Sequence, residues 1–525
     1  MSHGFVSADR HAWWEIICER ADLTPDRRML EDDRDRTITY GEFRDLAERV
    51  AAGLWDMGVR PGQVVSWQLP TTIEAPLLMA ALSRLGVSQN PIIAILRRAE
   101  VSLILDQLQS QWFVIPGVWR GFDYNALAAE VTDGRECTVV VCDADGLGPG
   151  EWALPQGDPS VLPPYVTATA DSPVRWYFYS SGTTGKPKGV IHTEHSVVMA
   201  SRYLPAIVGM NADDMLPMAY PFTHIGGPTL FTGHILVGAR MMMIEAFDPV
   251  RSSHVMGAHG ATLLGSAVPF FQAYLAAQQA HGSEPIFPNL RWGLAGGAPL
   301  PPEINRRFRE EMHCGGILNA WGLTEFPCCT TVAPDDPAWV HATTVGRAVQ
   351  DVEVHAIAPD GTVLPPGGEG ELCLRGPQGF QGYVDSSLDA AAFTADGFVR
   401  TGDVGIVDAE GYIRLTGRIK DIIIRNAENI SALEVEDVLC QHPAIGSVAV
   451  IGLPDEMKGE RCCAVIVLAD GAGKPTLTDI AAHCRAAGLA NQKIPEQLEF
   501  IDALPINSMG KVLKHELRAQ FGSAV

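Results

Sequence analysis

An α/β protein with a large N-terminal domain, a small antiparallel β region and a compact C-terminal domain is the fold this sequence predicts. Three observations carry the prediction. Strand-like and helix-like segments alternate as far as about residue 290, the pattern of crossover connections and largely parallel sheets flanked by helices. After about residue 345 short alternating strands follow one another across Gly- and Asp-containing turns, as in an antiparallel sheet. Beyond about residue 421 the order becomes strand, helix, strand, strand, helix over roughly a hundred residues, the size of a small α+β domain.

The elements follow in order. Residues 45–61 place apolar side chains at helical spacing, with Gly58 and Pro61 as stop signals. Residues 64–69 read as a strand ended by Pro70, and residues 75–85 as a helix. Residues 176–178 form a strand end before a loop rich in glycine and hydroxyl groups, with Val190-Ile191 resuming apolar character beyond it. Val352 to Ile357 alternates, Pro359-Asp360-Gly361 turns, and Gly370 to Leu374 opens another strand. Residues 448–451 and 463–468 are strands of the C-terminal unit.

The 525 residues carry a formal charge of −23. A broad basic surface is absent, which argues against nucleic acid or an anionic membrane as partner. Any phosphate must therefore be held locally, by backbone N–H groups and a few cations. The 11 cysteines include two vicinal pairs and no C-x-x-C, which fits reduced thiols in an intracellular protein. The first ten residues are polar, unlike a secretory leader. No uncharged apolar run reaches the ~18 residues of a membrane span. A cytoplasmic protein with no integral membrane segment is expected, with a homodimer left open.

The segment Tyr179-Ser180-Ser181-Gly182-Thr183-Thr184-Gly185-Lys186-Pro187-Lys188-Gly189 stands out. Four small hydroxyl residues, three glycines and two lysines can wrap an anion with N–H, O–H and charged donors. It is not a Walker A loop, because Gly182 and Gly185 are too close and Pro187 follows the lysine.

With this loop the chain resembles the acyl-adenylate-forming superfamily, which includes acyl-CoA synthetases, firefly luciferases and peptide-synthetase adenylation domains. The further motifs fall in order. They are Gly296-Gly297-Ala298-Pro299-Leu300, Asn319-Ala320-Trp321-Gly322-Leu323-Thr324-Glu325, Thr401-Gly402-Asp403, Gly417-Arg418-Ile419-Lys420-Asp421 and Leu504-Pro505 through Gly510-Lys511. The resemblance implies an adenylation domain over residues 1–417 with a β-barrel-like part, a hinge at 418–421 and a mobile domain at 422–525. It implies ATP, Mg²⁺ and CoA, with a small carboxylic acid as the other substrate.

Residue chemistry suits those roles. Trp321 offers a π face for adenine and Asn319 an amide for its amino edge; a buried core Trp is the alternative. Asp403 suits ribose hydroxyls, with Arg418 beside the same sugar. Glu325 is a hard oxygen ligand for Mg²⁺ and Thr324 a phosphate donor. Ser180, Ser181, Gly182, Thr183, Thr184 and Lys188 line the phosphate cradle, and Gly297, Ala298, Pro299, Gly322 and Lys420 complete the nucleotide set. By resemblance Lys511 is the catalytic lysine, a point charge that offsets the anion building on the α-phosphate.

His224, in Met218 to Gly227, is expected near the carboxylate entrance, with a core histidine as the alternative. No Asp follows the aromatic there, which speaks against an amino-acid substrate. Leu230, Phe231, Ile235, Leu236, Met241, Met242 and Met243 favour an apolar acid, with ordinary core as the reading for most of them, and Cys328 and Cys329 could line the same cavity. Gln68-Leu69-Pro70 and Ser88 to Ile92 resemble cyclohexanecarboxylate-type ligases. The expected substrate is an alicyclic, steroid side-chain or medium-chain acid. Ala427 stands where CoA ligases usually have glycine. It keeps open an acyl-AMP ligase that does not use CoA, beside a non-catalytic sensor on the same fold.

Overall fold

The computed structural model describes residues 5–7, 9–181, 187–297, 300–426, 428–455, 457–507 and 510–522, apart from the side chain of Ser181. Gly182, Thr183, Thr184, Ala298, Pro299 and Ala427, singled out above, lie outside the described residues.

The predicted alternation builds three sheets with parallel centres. In the first, the order is Pro187–Thr193, Arg175–Ser181, Ser88–Pro91, Val64–Trp67, Trp112–Ile115 and Thr138–Val141. Only the outermost pair, Pro187–Thr193 on Arg175–Ser181, is antiparallel. The second aligns Met215–Met218, Arg240–Met243 and Arg28–Asp32 in parallel, then adds Thr37–Thr39 antiparallel. The third runs Leu263–Ser266, Trp292–Ala295 and Ile317–Leu323 in parallel, then turns back through Phe326–Thr331 and Arg347–Ala348.

The helices Trp13–Leu23, Tyr40–Met57 and Glu74–Leu85 cover these sheets with a continuous apolar core. Tyr40–Met57 begins five residues before the predicted start because Thr39 and Glu42 form a capping box. Thr39 Oγ1 accepts from Glu42 N at 3.2 Å and Glu42 Oε2 accepts from Thr39 N at 2.9 Å. The strand Val64–Trp67 stops short of the predicted Leu69.

Glu353–Ile357, Glu369–Arg375, Val399–Val407 and Ile413–Arg418 form the expected antiparallel region. A bridge between Arg347 and Tyr412 joins it to the third sheet. The C-terminal sheet is Glu428–Ser431, Ile422–Arg425, Gly459–Leu468 and Ile445–Asp455, with Gln497–Phe500 parallel to Gly459–Leu468. Its core, including Ile423, Val435, Val450, Cys462, Ile466 and Cys484, draws on no residue before Ile423. It is a unit with its own apolar interior. All eleven cysteines are unpaired. Among the described residues no helix is long and apolar enough to cross a membrane.

Candidate active site

A cleft of about 1650 Å³ separates the large domain from the small one; seven of the ten predicted nucleotide residues that are described line it, while Ser180, Ser181 and Lys188, like Thr324 and Glu325, are not on its wall. Its walls carry Gly297, Asn319, Trp321, Gly322, Asp403, Arg418, Lys420 and Lys511. Ile317–Leu323, Val399–Val407, Ile413–Arg418 and the turn after Ile506 supply six of them; Gly297 follows the strand Trp292–Ala295, and Lys420 lies in the short turn Ile419–Asp421.

Asp403 sits opposite Arg418 in the antiparallel register. Arg418 Nε lies 2.5 Å from Asp403 Oδ1, and Trp321 Nε1 donates to Oδ2 at 2.9 Å. The carboxylate is only 3% exposed, so without these partners its charge would be costly to bury. Thr401 Oγ1 fixes the turn, accepting from Asp403 N at 3.0 Å while donating to Leu372 O at 2.7 Å. Two strong donors occupy Asp403, out of the roughly four lone-pair directions of a carboxylate. The remaining directions suit two ribose hydroxyls. Trp321 is therefore held by its indole N–H rather than free, and only 6% of it is exposed. Asn319 Nδ2 makes one long contact, 3.5 Å to Thr344 O, which leaves the amide available to a base edge.

Gly322 lets the strand fold back on its partner. A Cβ there would stand 2.5 Å from Cys328 N, well inside contact distance, so the tight return that presents Thr324 and Glu325 needs glycine at this position.

Thr324 and Glu325 lie at that return, between Ile317–Leu323 and Phe326–Thr331. They meet the hairpin of Arg175–Ser181 and Pro187–Thr193, in which Ser180 and Lys188 are register partners. Two residues that the sequence reading missed make the link. His192 Nε2 donates to Thr324 O at 2.8 Å; burial pushes its pKa to about 4, so the ring is neutral. Tyr383 Oη donates to Glu325 Oε1 at 2.8 Å, and Lys188 Nζ lies 5.5 Å from the centre of the Tyr383 ring. The position of His192, two residues past Val190 on one strand face beside the loop, was a usable signal. Tyr383 had none, because only the bridge between Val190 and Tyr383 brings it near.

Among the described residues no donor reaches the second oxygen of Glu325. One free carboxylate oxygen near the hairpin that carries Ser180 and Lys188 could hold Mg²⁺, which commonly takes one or two carboxylates plus nucleotide phosphates and water.

Lys511 follows a tight turn. Asn507 N donates to Lys511 O, Lys511 N to Asn507 Oδ1 and Gly510 N to Asn507 O, each at 2.9 Å. Burial in the cleft lowers the Lys511 pKa to about 8; Arg418 and Lys420 add to the shift, and Asp403 and Asp421 oppose it. Lys420 is exposed at the rim, yet the cleft walls and Arg418 still lower its pKa.

His224 is not on the wall of this cleft. It precedes the helix Gly226–Val237, and its Nδ1 accepts from Gly226 N at 3.1 Å. Burial pushes its pKa to about 4. It is therefore neutral, with its proton on Nε2.

For the apolar residues around His224 the core reading holds. Phe231, Ile235, Leu236 and Met241 to Met243 are buried core of the helix Gly226–Val237 and the strand Arg240–Met243. The hydrophobicity that suggested a pocket is what a helix and a strand need for packing between layers. Cys329 is buried with Sγ 3.0 Å from Trp321 O, and Cys328 packs into a core cluster with Leu318 and Val332. Neither lines the cleft.

The chain is similar to known proteins along nearly its whole length. The AMP-binding enzyme family matches residues 17–384, and the AMP-binding enzyme C-terminal domain matches residues 434–511. The medium-chain fatty-acid–CoA ligase of Escherichia coli (strain K12) is 30% identical over 514 residues, covering 96% of this chain and 89% of that one. A salicyl-AMP ligase / salicyl-S-ArCP synthetase of Mycobacterium tuberculosis is 32% identical over 520 residues, covering 97% and 90%. The crystal structure of ATP-bound MatB from Rhodopseudomonas palustris superposes with a TM-score of 0.84 at 27% identity, covering 97% of this chain and 99% of that one. The chain is an enzyme of the AMP-binding family, within the acyl-adenylate-forming superfamily.

Proposed function

We propose that the protein is an ATP-dependent carboxylic acid:CoA ligase that forms an acyl-AMP and then an acyl-CoA thioester. One observation carries the reading: Lys511 of the small domain shares a cleft with Asn319, Trp321 and Asp403 of the large one. Adenine lies along Trp321 with its amino edge at Asn319, and the ribose hydroxyls reach Asp403 beside Arg418. Ser180, Lys188 and the rest of the loop to Thr184 hold the triphosphate. When bound, Mg²⁺ neutralises phosphate charge, and Glu325 would hold it, braced by Tyr383.

The acid needs no general base, because a carboxylate is ionised near neutral pH. His224, neutral with its proton on Nε2, donates to that carboxylate and orients it. Attack at the α-phosphate gathers negative charge on the phosphoryl oxygens, and Lys511 offsets that charge. Residues 418–421 act as the hinge that withdraws Lys511 before the thiol enters. An apolar acid, alicyclic, steroid side-chain or medium-chain, is the substrate class this reading favours. A relative that acts as a medium-chain fatty-acid–CoA ligase supports it.

A second reading has its own support. The salicyl-AMP ligase relative and Ala427 in place of glycine both fit an enzyme that passes the acyl group to an acceptor other than CoA. Hydroxamate trapping over a panel of acids with ATP and Mg²⁺, with and without CoA, separates the two: thioester should appear only when CoA is added. Lys511→Ala is expected to abolish acid-dependent pyrophosphate exchange while sparing transfer from supplied acyl-AMP. Exchange at the unmodified rate would remove Lys511 from the mechanism.

A further inference from the structure

The turn that carries Lys511 comes close to the large domain at Gly510. Gly510 has φ +75°, and a Cβ built on it would lie 2.9 Å from Pro269 Cγ and 3.1 Å from Cδ. Pro269 occupies the first turn of the helix Val268–His281 and lines the same cleft. Its ring is closed on its own backbone and anchored in a helix start, so it cannot swing aside as a long side chain would. On the other side, the hydrogen bonds of Asn507 to Lys511 and Gly510 hold the turn. Two stiff surfaces meet with no room for a methyl group.

We infer that the Gly510–Pro269 contact is the seat that sets how deeply Lys511 enters the cleft, which makes both positioning residues of the adenylation step. The inference rests on the reading of Lys511 given above. It assigns Gly510 a role in docking one domain on the other, beyond its service to the local turn. Added bulk at this seat holds the small domain away and withdraws the ammonium from the α-phosphate. Chemistry that does not need Lys511 is spared.

The test compares Gly510→Ala, Pro269→Ala, the double variant and Lys511→Ala. Each is assayed for acid-dependent pyrophosphate exchange and, separately, for thioester formation from supplied acyl-AMP. Gly510→Ala is expected to lose about tenfold to a hundredfold in exchange, the effect of one methyl forced into a close-packed contact. Thioester formation should stay near the unmodified rate. The double variant should recover most of the lost exchange, because alanine lacks the ring carbons Cγ and Cδ. Strain at φ +75° is common to the single and double variants, so recovery isolates the steric contact. A double variant no better than Gly510→Ala overturns the inference and assigns the loss to the turn.

Should Gly510→Ala not fold, Pro269→Phe adds bulk from the opposite side and leaves the turn intact. It is expected to lose exchange selectively, and unchanged exchange would overturn the seat. Survival of exchange in Lys511→Ala is a different failure, because it removes the catalytic reading itself.

Discussion

Lys511 is a cation whose site works against its charge until an anion arrives. Its pKa of about 8 has burial as the first cause and the nearby Arg418 and Lys420 as the second. The ammonium is charged below that value and neutral above it. In the free enzyme, kcat/KM for adenylation is therefore expected to hold below pH 8 and to fall about tenfold per unit above it. Bound triphosphate favours the charged form, so kcat should stay level to higher pH. A pH profile of exchange at limiting and saturating ATP checks both.

The other residue-scale prediction concerns Tyr383, whose hydroxyl steadies Glu325. Tyr383→Phe keeps the ring beneath Lys188 and removes a hydrogen bond to a carboxylate, a loss of about 1.5–3 kcal/mol. The Mg²⁺ concentration for half-maximal exchange should rise about tenfold or more, with the melting temperature falling by only a few degrees. An unmoved half-saturation point would mean that Tyr383 only packs.

At the scale of elements, the site depends on how strands return on one another. The reversal at Gly322 brings Phe326–Thr331 back beside Ile317–Leu323, and Cys328 N occupies the space a side chain would need. Gly322→Ala is expected to destabilise the protein by about 1–3 kcal/mol, as overpacking does. It should also shift Thr324 and Glu325, raising KM for ATP; thermal denaturation with ATP titration measures both.

Element positions were mostly legible because apolar spacing tracks helix and strand geometry. The helix Tyr40–Met57 ended where Gly58 foretold, since that residue is left-handed at φ +108°. Its start was misread because a capping box is a reciprocal contact between two polar residues outside the apolar pattern. The methionine run was ambiguous for the converse reason. Pocket walls and sheet cores draw on the same side chains, and spacing does not tell them apart.

Across the whole molecule, the two domains meet through the cleft and the short segment at residues 418–421. Ile419 there is 51% exposed, and Arg518 holds Asp421 at 3.0 Å. If residues 418–421 are a hinge, trypsin should cut first at Arg418 or Lys420, releasing the C-terminal unit that has its own core. Saturating ATP with Mg²⁺ should slow that cut, because the nucleotide bridges the cleft. Cleavage first at another site, or at a rate indifferent to ATP, would count against the hinge.

By itself the sequence determined the fold class and pointed to Asn319, Trp321, Asp403, Arg418 and Lys511, which the structure brings into one cleft. Those depend on local spacing and on short runs such as residues 319–325 and 401–403, where chain neighbours do the chemistry together. Only the tertiary structure decided which apolar residues were core, that Trp321 and Arg418 both hold Asp403, and that His192 and Tyr383 brace Thr324 and Glu325. It also placed Gly510 against Pro269. These pairs are separated in the chain and joined by strand pairing and domain packing, and a contact between distant residues leaves no periodic mark on either segment.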